Sequence, residues 1–288
     1  MASILRFPYR KAIATLPPTM SVVLQYFRHH RRLPNLSTPS RFTEKVQYTK
    51  LNTRDPRTTK LADKISVKEF VASQLGNEWL TPTIFAGDAL PPLKQRSWPI
   101  PFVIKAAHGS GWNIFVRHAS ELDWPAIEVA CQKWLSESFG TTTKEWVYWQ
   151  VPRRILVEPF LGSPNGPFLQ LPIDYKLFVF SGRVHYIQVD TDRATNHKRV
   201  FFDRTWRRQP FSYGYPPDPR VIEKPRCLDQ MIEAAEHLGK GFSFVRIDFY
   251  EIDGKPKFGE FTFLPDSGLL PFSPDQYDAI LGSLWSVP

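Results

Sequence analysis

Two apolar segments joined by a polar turn form the clearest hydrophobic pattern of the chain, near its C-terminus. Residues 244–252 and 255–263 are rich in β-branched and aromatic side chains, and the dipeptide Asp253-Gly254 separates them. An Asp-Gly pair between two such runs is the strongest short-range signal for a β-hairpin. Asp248 and Glu260 lie on either side of the turn, so antiparallel pairing would bring both carboxylates to one end of the same sheet.

Two carboxylates held in this way suit a hard divalent cation. Magnesium takes a few carboxylate oxygens and completes its coordination with water and substrate phosphates. The hairpin therefore suggests nucleotide chemistry. A surface hairpin whose acids are merely solvated is the alternative, and the hairpin taken alone does not exclude it.

Helical periodicity recurs in four other stretches. Apolar residues return every three or four positions in residues 58–75, 123–139 and 228–239, and a glycine marks the end of the first and the last. Residues 21–32 mix apolar and basic positions, which is typical of an amphipathic helix. Such a helix either packs on the main domain or lies on an anionic membrane surface, and we expect packing.

Short apolar runs bounded by turn residues predict further strands, at 153–162 and 174–189. In residues 101–116 a strand ending at Lys105 is followed by a glycine-containing loop, 108–111, and a second strand. Because glycine lets backbone amides turn toward an anion, this loop is a candidate phosphate clamp. It lacks the spacing of a Walker loop, and an ordinary hairpin with a glycine turn is the alternative.

Composition indicates a globular protein. The chain has 288 residues, of which 42% are hydrophobic and 14% aromatic, enough for one large domain or two small ones. Its two cysteines, Cys131 and Cys227, form neither a disulfide framework nor a metal-ligand spacing, which favours a reducing compartment. No apolar run reaches the ~18 residues of a membrane-spanning helix, and the N-terminus lacks a secretion signal. We therefore expect a cytoplasmic protein.

The net charge of +9 predicts an anionic partner. Nucleotide, nucleic acid, anionic polymer and membrane surface all satisfy this condition. No zinc-finger spacing, aromatic RNA-binding signature or long Lys/Arg run is present, so nucleic acid is not expected. Residues 191–208 are dense in charge, which fits either a solvated loop or a cationic wall around a triphosphate.

The order of these features resembles the ATP-grasp superfamily, and it is most similar to the TupA-like ATP-grasp branch. Members of that branch occur in bacterial polysaccharide and teichuronopeptide synthesis. The resemblance begins near Pro39 and ends near Pro271, and order and spacing carry it rather than any single motif. The matching positions are Asp63-Lys64, Lys105 with its glycine loop, Val157 to Phe160, Asp174, the basic loop, Arg246 to Asp248, and Glu260.

The resemblance implies an α+β protein with the ATP-grasp fold, in which two α+β subdomains hold ATP between them. It implies a helical N-terminal extension over residues 1–57 and an N-terminal lobe over 58–160 that includes the small ATP-grasp subdomain. Residues 161–288 then form the C-terminal subdomain with the metal-binding hairpin. By the same resemblance, we expect no counterpart in these residues of the full N-terminal α/β domain of many ATP-grasp ligases.

The resemblance also implies a set of ATP-binding residues. Lys64 and Lys105 resemble the lysines that reach the phosphates, Glu158 and Phe160 the residues at the adenine, and Asp174 the acid at the ribose hydroxyls. Either Lys198 or Arg199 matches a further phosphate-binding cation. The loop that covers the phosphates corresponds to His108, Gly109, Ser110 and Gly111.

Catalytic and metal-binding positions follow from the same resemblance. Asp248 and Glu260 resemble the magnesium ligands, and Arg246 resembles the arginine that D-alanine:D-alanine ligases place against the transferred phosphoryl group. Arg246 and Lys105 are thus the expected catalytic residues. The superfamily usually has Glu-x-Asn at the second metal strand, where this chain has Thr262, a weaker ligand. Residues 265–268 stand at the superfamily's acceptor loop and are a candidate for substrate contact.

The implied activity is that of an ATP- and Mg²⁺-dependent carboxylate–amine ligase that works through an acylphosphate and releases ADP and phosphate. Its expected co-substrates are a carboxylate and an amine or amino acid, one of them linked to a surface polysaccharide, such as a capsule, or to its precursor. The alternatives are an ATP-grasp kinase, a sugar transferase and a non-catalytic module that binds anionic polymer. A further alternative is that the basic N-terminus contacts the inner face of the membrane.

Overall fold

The computed structural model describes residues 12–163 and 171–287, so the first eleven residues of the predicted N-terminal extension lie outside the described part. The helices are α1 (Pro18–His30), α2 (Phe42–Asn52), α3 (Pro56–Ala62), α4 (Ser66–Leu75), α5 (Trp124–Ser136), α6 (Leu228–Leu238) and α7 (Gln276–Ser283). The strands are β1 (Phe85–Gly87), β2 (Phe102–Ala106), β3 (Asn113–Val116), β4 (Ile155–Pro159), β5 (Asp174–Phe180), β6 (Arg183–Thr191), β7 (Lys198–Asp203), β8 (Ser212–Tyr213), β9 (Phe244–Ile252), β10 (Lys255–Thr262) and β11 (Phe272–Ser273).

Two antiparallel sheets form the framework of the described residues. The smaller sheet has the strand order β1-β4-β2-β3, and the larger has the order β10-β9-β5-β6-β7. Helix α5 buries Ile127, Cys131 and Trp134 against the small sheet, and α6 packs its apolar face on the large sheet. Each sheet therefore has its own hydrophobic cluster, in agreement with the α+β architecture predicted from the sequence.

The large sheet is apolar on one face and partly polar on the other. Along β9, Val245, Ile247 and Phe249 join the cluster around α6. The intervening residues, Arg246 and Asp248, point to the opposite face because side chains alternate along a strand. Burial of the apolar face thus forces the charged residues of β9 onto the face that looks toward the small sheet.

Helix α2 covers one end of that opposite face. Phe42 packs against Phe178 of β5 and Phe244 of β9, with ring centroids 5.9 and 5.1 Å apart. Phe42 and Val46 are fully buried. The N-terminal helices are therefore part of the core of the large sheet, and the polar residues beyond them stay open to a cleft.

The predicted hairpin is present, but its register contains a bulge. Asp253 and Gly254 have φ values of +54° and +74°, the left-handed conformations of a tight two-residue turn. An unbroken ladder from this turn would set Asp248 opposite Gly259 and would send Glu260 to the other face. The register shifts between Phe258 and Glu260, and Asp248 pairs with Glu260 instead. The bulge therefore brings the two carboxylates to one face.

The single helix predicted over residues 58–75 is two helices, α3 and α4, and that prediction was wrong in this respect. Asp63 interrupts the helical path with φ −74° and ψ 113°. Its carboxylate accepts hydrogen bonds from the Ile65 amide and the Ser66 hydroxyl, which satisfies donors at the start of α4. The apolar periodicity continues across the break, so the pattern alone did not reveal it.

The predicted N-terminal amphipathic helix corresponds to α1, which buries Val22, Gln25 and Tyr26 against the rest of the protein. Packing was the expected outcome for this helix. In the residues that the structure describes, no helix has the length and apolar character needed to cross a membrane.

Candidate active site between the two sheets

A cleft of about 530 Å³ lies between the small sheet and the polar face of the large sheet. Residues predicted from the sequence line it from both sides. From the smaller sheet and its neighbours come Lys64, Lys105, Ser110, Gly111, Glu158 and Phe160, and from the larger sheet come Asp174, Arg199, Arg246 and Glu260. The fold thus assembles at one place residues that are up to about two hundred positions apart in the sequence.

A row of charged side chains crosses the middle of the large sheet. Strand pairing sets Glu260 opposite Asp248 and Asp248 opposite Lys176. The Lys176 ammonium donates to Asp248 Oδ2 over 2.7 Å and also to Asp174. These two carboxylates raise the pKa of Lys176 despite its burial, so the lysine stays charged between them.

Arg246 joins the two predicted metal ligands. Its Nε and Nη2 donate to the two oxygens of Asp248, each over 2.8 Å, in a planar two-point contact. Nη2 also donates to the Thr262 hydroxyl over 2.9 Å and lies 3.5 Å from Glu260 Oε1. Asp248 and Thr262 lie beside the cleft lining rather than in it, and Arg246 connects both to the cleft.

Glu260 is held in its ionised form. Burial alone would raise the pKa of Glu260, but Lys64, Lys176 and Arg246 around it lower the pKa below its usual value. Lys64 approaches from the opposite side of the cleft, with its ammonium 3.9 Å from Glu260 Oε2. A carboxylate in this position is ready to bind a cation without first losing a proton.

The donor set fits magnesium. Asp248 and Glu260 would supply hard carboxylate oxygens from directly opposed positions on adjacent strands, with both oxygens of Asp248 also accepting hydrogen bonds from Arg246. Among the described residues, no group of three or more His, Cys, Asp or Glu side chains is arranged to hold a metal ion. A metal at this pair would therefore need further ligands from water and phosphate, which is the coordination that magnesium favours.

The two predicted phosphate-binding lysines have different partners: Lys105 pairs with Glu158 of the small sheet, whereas Lys64 lies between the Gly109 carbonyl and Glu260. Lys105 donates to Glu158 Oε2 over 2.7 Å, and Lys68 bonds the other oxygen of the same carboxylate. Burial raises the pKa of Glu158, but these two ammonium groups outweigh it and leave the pKa below its usual value. Burial lowers the pKa of Lys64, which also donates to the Gly109 carbonyl.

The glycine loop reaches the cleft in part. Ser110 and Gly111 line it, and Gly111 has a φ of +75° in open space. His108 is 1% exposed and bonds the Trp134 carbonyl of α5 through Nε2, at 2.9 Å. His108 therefore packs behind the loop, away from the cleft. The Gly109 carbonyl accepts a hydrogen bond from the Lys64 ammonium.

The remaining predicted nucleotide contacts occupy different parts of the cleft. Phe160 is buried at the cleft wall, where its ring meets Phe115 edge to face at 5.7 Å. Asp174 bonds Lys176 and Arg193. Of the two alternatives on β7, Arg199 lines the cleft and Lys198 does not, because adjacent strand residues point to opposite faces.

Several cleft residues were missed by sequence reasoning. Lys176 lies two positions after Asp174 on one strand, so the two share a face. Lys68 lies four positions after Lys64, one turn apart in the single helix predicted over residues 58–75, although the structure places Lys64 in the turn between α3 and α4. That spacing could have identified both. His197, stacked on Tyr215 at 3.8 Å, lies within the charge-dense stretch 191–208, whereas Asp190, which accepts a hydrogen bond from Arg199 over 2.7 Å, carries no comparable signal.

Comparison with known proteins identifies the family. The chain matches the TupA-like ATP-grasp family over residues 44–286, and it belongs to that family. Membership confirms the resemblance and the ATP-grasp fold predicted from the sequence, and ATP with Mg²⁺ are the cofactors of this family. No curated protein matches the chain significantly.

Solved structures of ATP-grasp ligases are similar at low sequence identity. D-alanine–D-alanine ligase from Helicobacter pylori is 16% identical, with a TM-score of 0.45 over 79% of this chain and 61% of that one. L-amino acid ligase from Bacillus licheniformis is 17% identical, with a TM-score of 0.42 over 79% and 48%. The ligase PsnB with minimal precursor, Mg and ADP is 12% identical, with a TM-score of 0.41 over 76% and 57%. The chain thus spans less than two thirds of each of these proteins.

Proposed function

We propose that the protein is an ATP-dependent carboxylate–amine ligase that activates a carboxylate as an acylphosphate and releases ADP. The observation that carries this proposal is the position of Arg246, which bonds Asp248 and lies beside Glu260, with Lys64 on the opposite side of the cleft. A pure ATP-binding protein would not need a buried guanidinium between its metal ligands. Phosphoryl transfer needs fixed positive charge at the transferred group.

In this proposal each lobe supplies part of the charge. Lys64 and Lys105 hold the phosphates from the small lobe, and Ser110 and Gly111 close over them. Asp248 and Glu260 hold Mg²⁺, which would neutralise phosphate charge. Arg246 orients the transferred group and stabilises negative charge that develops during transfer. No nucleophilic side chain is needed, and burial raises the pKa of the Cys131 thiol to about 11, which keeps it unreactive.

The proposed product is an amide between an amino acid or amine and a carboxylate of a surface polysaccharide or its precursor. Similarity to the TupA-like branch supports this substrate class. The net charge of +9 suits an acidic polymer. The division into an extension (1–57), an N-terminal lobe (58–160) and a C-terminal subdomain (161–288) is likewise proposed.

The test is a screen of the purified protein with ATP, Mg²⁺ and pools of carboxylates and amines. Release of ADP that requires both pools, together with a new amide, is the expected result. A stable phosphorylated product that forms without an amine would instead identify a kinase. Nucleotide-sugar turnover without ATP would identify a transferase, and binding of anionic polymer without ATP turnover would identify a binding module.

A second proposal is peripheral contact with an anionic membrane, which the outer face of α1 supports. Met20, Leu24 and Phe27 recur at helical spacing and are 52%, 47% and 48% exposed, with basic Arg28 and Arg31 at the end of the helix. An apolar stripe next to basic residues suits an acidic lipid surface. Flotation with phosphatidylglycerol vesicles should recover the wild type and not a Leu24→Glu variant. The exposed Val129 on α5 provides a matched control as Val129→Glu, and equal flotation of all three proteins would refute the contact.

A further inference from the structure

The turn that follows β10 has an unusual backbone. Asp266, Ser267 and Gly268 have successive φ values of +46°, +57° and +63°, all in the left-handed region. Residues with a side chain rarely adopt this conformation, and two in succession need support from their surroundings. Two hydrogen bonds within the turn, from Ser267 to Leu264 and from Leu269 to Asp266, do not by themselves account for it.

Side chains of the N-terminal helices bond the carbonyls of this turn. Gln47 Nε2 donates to the Ser267 carbonyl over 2.9 Å and to the Gly268 carbonyl over 3.1 Å. Lys50 Nζ donates to the Ser267 carbonyl over 2.6 Å, and His30 Nε2 lies 3.0 Å from the Gly268 carbonyl. Side chains of α1 and α2 therefore bind the carbonyls of Ser267 and Gly268, two of the three turn residues with positive φ.

These contacts are buried and closely packed. Gln47 is fully buried and Lys50 is 2% exposed, so an unpaired polar group at either position would lose its hydration without compensation. A Cβ on Gly268 would lie 2.6 Å from Gln47 Nε2 and 2.8 Å from Val46 Cβ. Helix α2 thus packs so closely against the turn that a side chain at position 268 would collide with it.

The other side of the turn faces the cleft. Asp266 lines the cleft, and its Oδ2 accepts a hydrogen bond from Arg199 Nη1 over 3.3 Å. The Tyr213 hydroxyl donates to the Pro265 carbonyl over 3.3 Å. A displacement of the turn would therefore move Asp266 relative to Arg199 and change the cleft wall.

We infer that Gln47 and Lys50, assisted by His30, are positioning residues that hold the turn of residues 264–269 so that Asp266 stays in the cleft against Arg199. The inference rests on the proposed function, because the turn would then shape the co-substrate end of a ligase site. By holding the turn, the N-terminal helices would help to position the co-substrate for product formation. ATP binding does not require them, because Lys64, Lys105 and the glycine loop would bind the phosphates away from the turn, and of the two cations predicted on β7 it is Arg199 that bonds Asp266.

The test compares Lys50→Met and Gln47→Leu with Lys45→Met. Lys45 is a matched control because it lies on the same helix and its ammonium also donates to two carbonyls, those of Gly282 and Trp285. Amide hydrogen exchange in residues 264–269, calorimetric affinity for MgATP, and amide formation from the carboxylate and amine pools are measured for each protein.

The expected result is at least tenfold faster exchange in the turn and at least tenfold slower amide formation for Lys50→Met and Gln47→Leu. MgATP affinity should stay within twofold of the wild type, and Lys45→Met should match the wild type in all three measurements. Exchange equal to that of Lys45→Met would overturn the inference. Faster exchange with unchanged amide formation would also overturn it, since the side chains would then only stabilise the turn.

A second variant covers the case in which loss of a buried polar group prevents folding. Gly268→Ala pushes the turn away from α2 without removing a hydrogen-bonding side chain, and it should reproduce both effects. Unchanged turn exchange in that variant would contradict the inference. If the wild type forms no amide from any pool, the proposed function fails, while the exchange comparison still decides whether α2 holds the turn.

Discussion

Arg246 connects the proposed metal ligands to the proposed phosphoryl transfer. Its guanidinium satisfies both oxygens of Asp248 and the Thr262 hydroxyl, and it is 6% exposed. The Asp248 carboxylate raises the pKa of Arg246 even though burial opposes this, so the positive charge is permanent. In the proposed reaction, this fixed positive charge beside Asp248 and Glu260 would stabilise the negative charge of the transferred group.

Arg246→Lys should separate binding from chemistry. Lysine keeps the charge but loses the planar two-point contact with Asp248, and the two residues are not interchangeable at such a site. We predict MgATP affinity within a few-fold of the wild type by calorimetry, but far slower ADP release in the presence of co-substrates. Equal losses of affinity and turnover would make Arg246 a simple ATP contact, and no loss would remove it from the site.

Lys105→Ala should reduce turnover by roughly a hundredfold, on the order of 3 kcal/mol, as expected for removal of one electrostatic donor to a transition state. The control is Lys68→Ala, since Lys68 bonds the same Glu158 carboxylate from the other side. Steady-state ADP release is measured for both. Similar losses in the two variants would show that Lys105 acts through Glu158. Wild-type turnover in Lys105→Ala would show that Lys105 has only a structural role.

At the scale of the element, the β9–β10 hairpin shows what a local pattern can and cannot predict. The Asp-Gly turn and the two strands followed from the sequence, because turn chemistry and alternation are local properties. The bulge did not, although Gly259 marks it. A Cβ at Gly259 would lie 3.0 Å from the Asp248 carbonyl oxygen, so the close strand approach at the bulge favours glycine.

Gly259→Ala should therefore disturb the proposed metal site without removing a proposed ligand. The added methyl group presses on the backbone of Asp248, and the bulge that turns Glu260 to the cleft should shift. We predict that the Mg²⁺ concentration for half-maximal ATP turnover rises about tenfold, the order seen when groups that orient ligands are changed. An unchanged magnesium dependence would mean that the bulge tolerates a side chain.

At the scale of the whole molecule, the sequence predicted the α+β class, and most of the site residues that it singled out line the cleft. Lys64, Lys105, Arg246 and Glu260 meet in space, as the order of the motifs implied. Contacts such as Arg199 with Asp190 were not predictable, because they depend on strand register. Helix α2 bonds the turn at Ser267 only because elements far apart in the sequence pack together. A short sequence pattern cannot predict such a contact.

Because both lobes contribute charge to one cleft, MgATP should stabilise the entire folded protein. A ligand that binds only the folded state at a hundred times its Kd adds about 2.7 kcal/mol of stability. We predict a clear rise in Tm with MgATP for the wild type and a much smaller rise for Glu260→Gln, which keeps the shape of the side chain but loses the charge held among Lys64, Lys176 and Arg246. Thermal unfolding with ATP and excess EDTA provides the control. A rise in Tm that is equally large with EDTA, or equally large in Glu260→Gln, would show that the nucleotide is held without a metal at this pair of carboxylates.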